Sequence, residues 1–72
     1  MNKLMVTSDD TVISFSNENG RKMFYLEKVD EKHFYKRAIL VYPRLTVFSN
    51  YGFSKEDLKE YRKIIKRKFP TV

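Results

Sequence analysis

The stretch "TVISFSNENGRKMFYLEKV", residues 11–29, decides the fold. In "TVISFS" (11–16), Val12, Ser14 and Ser16 alternate with Ile13 and Phe15. A period of two predicts a strand with one buried face. "NENG" (17–20) follows, and Asn and Gly tolerate the positive φ of a tight reversal. "RKMFYLEKV" (21–29) then returns as a second strand. The unit is a β-hairpin, so the sheet is antiparallel.

The same signs extend outward. "KLMVTS" (3–8) is short and partly β-branched, and "DD" at 9–10 separates it from the hairpin. "DEK" punctuates again before "HFYKRAILVY" (33–42). "KMFY" (22–25) and "KHFY" (32–35) form a faint echo at the spacing of adjacent meander strands. Pro43 offers no ladder donor and belongs at an edge, a bulge or a strand end. "RLTVFS" (44–49) resumes as a strand. Within 38–48, one part is expected to be central and the other an edge.

The last element is a helix. Ser54 is an N-cap candidate with Asp57 three residues on, an approximate capping box. Phe53 and Leu58 have the spacing of a hydrophobic staple. Glu56 and Asp57 fall in the first turn and the basic residues in the last, as the helix dipole favours. Pro70 stops the helix. On a helical wheel with Leu58 at the origin, Phe69 falls at about 20°, Ile65 at about 340°, Tyr61 at about 300° and Ile64 at about 240°, one apolar face. Lys66, Lys59, Lys63 and Arg67 spread from about 80° to about 180°, a solvent-facing ridge. Arg62 flanks the apolar face and can snorkel. Lys68 projects near Tyr61 and Ile64.

The expected fold is therefore α+β, one domain over residues 1–72. Four or five strands form an antiparallel meander with the C-terminal helix across one face. A small SH3-like barrel with a terminal helix is the alternative.

With 72 residues beginning at Met1, we expect a complete small protein. At this size the core is marginal, and small scaffolds draw on disulfides, metals or partner chains. The chain has no cysteine and one histidine, which excludes disulfides and the usual zinc patterns. Packing or a homodimer must supply the stability. No signal peptide or membrane-length apolar run is present, so a cytoplasmic location is expected.

The net charge is +6. Residues 1–60 carry ten basic and nine acidic side chains; residues 61–72 carry five basic and none acidic. The field is thus local, and local fields steer partners. Lys59–Lys63 and Lys63–Arg67 are like-charge i,i+4 pairs, mildly unfavourable in a helix. One or two cations would satisfy the dipole, and this segment holds five.

Catalytic patterns do not emerge. His33 stands without a Cys or Ser motif. Asp9/Asp10 and Asp30/Glu31 read as turn formers. Only Gly20 and Gly52 occur, so no glycine-rich phosphate loop exists. No enzyme activity and no cofactor are expected. Phe24, Tyr25, Phe34 and Tyr35, beside Lys22, Lys36 and Arg37, could form a base-stacking platform, although one member of each adjacent pair must point inward. The helix is amphipathic, but its apolar face is already committed to the fold, which argues against membrane binding.

Two functions follow as expectations. The first is a non-catalytic accessory or regulatory protein that binds DNA or RNA with weak sequence specificity. Lys59, Lys63, Lys66 and Arg67 would meet phosphates, with Arg62 and Lys68 supporting. Lys22, Lys36 and Arg37 extend the patch if the sheet brings them near. The second is a protein-binding inhibitor or adaptor, from a phage or other mobile element, taking an acidic protein surface. Ala38, Leu40, Tyr42, Leu45 and Val47 would then be interface residues.

Overall fold

The computed structural model describes residues 2–29 and 35–70. Five strands precede one helix: β1 (Asn2–Val6), β2 (Val12–Glu18), β3 (Arg21–Val29), β4 (Tyr35–Val41), β5 (Thr46–Tyr51) and α1 (Lys55–Lys68). The strands form one antiparallel sheet in the order β1-β2-β3-β4-β5. This is the expected meander and helix. The barrel alternative does not form: β1 and β5 lie at opposite edges and the sheet stays open. His33, Phe34 and the Asp30/Glu31 pair lie outside the described residues.

The β2–β3 reversal is tighter than the four-residue signal suggests. Asn17 and Glu18 still belong to β2, and only Asn19 (φ 54°) and Gly20 (φ 77°) turn the chain. Two successive residues at positive φ match the twist of the flanking strands. The β4–β5 connection, residues 42–45, holds Pro43 outside both strands. β4 is internal and β5 is the edge.

Alternation sorts the side chains between two faces. Ile13, Phe24, Leu26, Ala38 and Leu40 point to the helix side and are fully buried. Leu58, Tyr61 and Ile65 of α1 meet them, with Leu45 and Phe53 closing the ends. Phe24 packs on Phe15 (centroids 5.3 Å apart) and on Phe69 (6.4 Å). A fully buried side chain of this size contributes about 1.5–3 kcal/mol. Ala38, Leu40 and Leu45 are therefore core, which removes them as interface candidates. Tyr42 packs half-buried against that core, and Val47 is exposed at the edge.

Sequence and structure agree most closely on the helix entry. Ser54 Oγ accepts from the Asp57 amide (3.1 Å), and Asp57 Oδ2 accepts from the Ser54 amide (3.1 Å), a complete capping box. The helix continues through Lys68, with Phe69 as C-cap. Asn50 fixes the approach: its amide donates to the Phe53 carbonyl (2.9 Å), and its oxygen accepts from the Phe53 N–H (3.2 Å). Between them Gly52 adopts φ 94°, where a Cβ would lie 2.9 Å from Lys36 Cγ.

Tyr61 ties the helix to the β1–β2 turn. Its hydroxyl donates to Asp9 Oδ2 (2.7 Å) and lies 2.8 Å from Thr11 Oγ1. Thr7 donates to the other Asp9 oxygen, and Lys28 Nζ stands 3.7 Å from Oδ2. Desolvation opposes the Asp9 charge, but the hydrogen bonds from Thr7, Tyr61 and Thr11 and the Lys28 charge outweigh it. They hold its pKa at about 2. Burial, aided by the Asp9 charge, pushes Tyr61 up to about 12. Asp9 is thus more than a turn former. Asp10 (φ 65°) meets the turn's backbone demand, while Asp9 anchors the helix.

Candidate nucleic-acid interface

The helix presents six of its seven cations as two neighbouring rows, with Lys68 apart on the Tyr61 and Ile64 side. Lys59, Lys63, Lys66, Arg67 and Lys68 are all exposed, as is Lys55. Lys55, Lys59, Arg62 and Lys66 recur at i, i+4, i+7 and i+11. From helix geometry they occupy a wedge about 60° wide on the flank toward β5. Lys63 and Arg67 form the crest beside it. Of the acids of α1, Glu56 lies in line with the crest, while Glu60 and Asp57 fall beyond it. This segregation puts no carboxylate within the flank row.

The flank row borders a shallow groove lined by Val47, Asn50, Lys55, Leu58, Lys59 and Arg62. β5 forms its other wall. That strand, "TVFSNY", carries no charge and every residue is exposed. Lys55 escapes a reading of the sequence because it sits in the first turn, far from the basic run. Its membership follows only from the i, i+4 stripe.

The six expected helix residues do not share one role. Among the described residues, Lys59, Lys66, Arg67 and Lys68 make no salt bridge. Lys63 lies 3.5 Å from Glu60, with both side chains well exposed. A pair so exposed is worth less than about 1 kcal/mol and yields readily to another anion. Arg62 is half-buried and donates from Nε to the Leu45 carbonyl (3.1 Å). Leu45 holds φ 57°, so Arg62 braces a left-handed turn residue while its remaining N–H groups border the groove. Lys68 keeps helical backbone and is exposed.

The sheet separates the three extension residues. Lys22 lies on the helix side, 5.2 Å above the Tyr42 ring. Tyr42 also lines a small groove with Lys66, Phe69 and Pro70, so Lys22 continues the positive surface past the helix C-terminus. Lys36 lies beside Gly52, at the helix entry. Arg37 points to the opposite face of the sheet, opposite Glu27 and Tyr51 in register. Lys22 and Lys36 thus share the helix side of the sheet, near opposite ends of α1, and Arg37 does not.

The aromatic set divides between the two faces, one member of each adjacent pair inward where both are described. Phe24 is core, while Tyr25 and Tyr35 lie on the open face. No helix among the described residues is long and apolar enough to cross a membrane. Comparison with protein-family models, curated proteins and solved structures returns no match.

Proposed function

We propose that the protein binds nucleic acid through the α1 cations, as a non-catalytic accessory or regulatory factor. The observation that carries this reading is the double row of cations on one helix. Lys55, Lys59, Arg62 and Lys66 occupy the flank, and Lys63 and Arg67 the crest. Successive cations lie about 4.5–6 Å apart along the axis, a spacing suited to a phosphate backbone. The rows hold no Asn or Gln, the side chains suited to adenine edges, so contacts are with phosphates and sequence preference is weak.

The test is amide chemical-shift mapping with a duplex and a single-stranded oligonucleotide at low salt. Perturbations centred on residues 55–67 and Lys22 support the reading. Shifts confined to the opposite sheet face, or no shifts, count against it. A second reading is an inhibitor or adaptor of phage or mobile-element origin. The uncharged β5 edge favours it, because an extended acidic segment could pair there with its carboxylates toward Lys55 and Lys59.

A further inference from the structure

The face of the sheet turned away from α1 is mixed: β2 gives it Ser14, Ser16 and Glu18, but β3 and β4 give it an apolar patch where an uncovered face is usually polar. Antiparallel sheets with one solvated side usually alternate cleanly between apolar and polar residues. Here β4 does not: Ala38 and Leu40 enter the core, while Ile39 and Val41 point the other way and are half-buried. Met23 and Tyr25 stand opposite them on β3. At the rim, Val29, Tyr35 and Tyr51 are 65%, 40% and 69% exposed. α1 covers only the other face.

Charge on this face is sparse and balanced. Glu18 stands opposite Arg21 at one end, and Glu27 opposite Arg37 at the other. With Lys3, the described part of the face carries three basic and two acidic groups. A polyanion has little to hold there. The near-balance of charge leaves little to repel a second copy of the same face, and a two-fold axis passing through both pairs would set each against its own copy.

We infer that this face is a homodimer interface, with two sheets packed face to face and the basic helices on the outside. Five strands about 4.8 Å apart and about 20 Å long give about 480 Å² in projection. Two copies together approach the roughly 1,000 Å² that a specific interface needs. Stacked sheets lie about 10 Å apart and each helix layer adds about 10 Å, so the helix axes stand about 30 Å apart. That is more than three Debye lengths at physiological salt, and the net +6 on each copy opposes pairing little. The second copy also adds burial to a domain whose small size keeps its own buried fraction low.

The test is sedimentation equilibrium of the full chain across a concentration series. The expected species is twice 8.7 kDa. Ile39→Lys, at the centre, should give a monomer with unchanged far-UV circular dichroism. Val29→Lys/Tyr51→Lys alters rim positions that a monomer exposes, so it tolerates the change, and it should weaken the dimer at least about tenfold. Lys63→Glu should leave the dimer intact. A wild-type chain that stays monomeric at about 1 mM overturns the inference. So does a dimer that survives both open-face variants, or one lost on Lys63→Glu. A monomer whose open-face amides shift with a single-stranded oligonucleotide also overturns it and reassigns the face to bases.

Discussion

Tyr61→Phe isolates the contact that locks the helix to the first turn. The substitution keeps the ring, its edge-on packing against Phe53 (5.4 Å) and the burial of the side chain. It removes only the hydroxyl. Two interactions go: a hydrogen bond to the Asp9 carboxylate and one shared with fully buried Thr11. A bond to a charged group contributes about 1.5–3 kcal/mol, and a neutral one about 0.5–1.5. Asp9 is itself nearly half exposed, which places its share at the low end. The expected loss is about 2 kcal/mol at pH 7. For a domain this small, that lowers Tm by about 8–16 °C. Urea denaturation at several pH values separates the two bonds. Asp9 titrates at about 2 folded, below its ordinary 3.8. Its contribution is therefore complete above the unfolded pKa and fades as pH falls through about 2. The gap between wild type and Tyr61→Phe should narrow toward about 1 kcal/mol at the acid end, where the neutral Asp9 carboxyl still accepts but without its charge. A gap below about 0.5 kcal/mol at pH 7, or one that does not change with pH, refutes this account of the anchor.

Three other perturbations follow. Ser54→Ala removes the reciprocal cap and should cost about 1 kcal/mol in urea denaturation, with loss of amide protection in residues 55–58. Gly52→Ala should cost about 1–2 kcal/mol through its positive φ, and adding Lys36→Ala should recover little of it, because the flexible Lys36 stem is the lesser obstacle. If the double variant regains wild-type stability, contact rather than backbone conformation governs the site. Lys63→Glu/Arg67→Glu should change stability by less than about 1 kcal/mol, since the Lys63–Glu60 pair is well exposed. Thermal denaturation showing a larger loss would make these residues structural.

The strands and the helix were legible because several local signals agreed at each. Asn19-Gly20 specified the hairpin, and Ser54 with Asp57 specified the helix entry. What stayed hidden depends on pairs distant in sequence. Nothing near Asp9 announces Tyr61, 52 residues on, and nothing near Leu45 announces Arg62. The division of Lys22, Lys36 and Arg37 was hidden for another reason. Alternation puts neighbours on opposite faces, but which face receives the helix is settled only by packing. The same blindness made Ala38 and Leu40 look available, when it is Ile39 and Val41 that point away from the core. The basic ridge was readable because helical period and composition coincide there.

Binding of a labelled duplex as a function of salt tests the central claim most directly. If Lys59, Lys63, Lys66 and Arg67 each meet a phosphate, log Kobs should fall against log salt with a slope of about −3 to −4. Lys63→Glu/Arg67→Glu should then abolish measurable binding at physiological salt while the chain stays folded. No binding at low salt, a flat salt profile, or undiminished affinity in that variant contradicts the assignment of the α1 cations to nucleic acid.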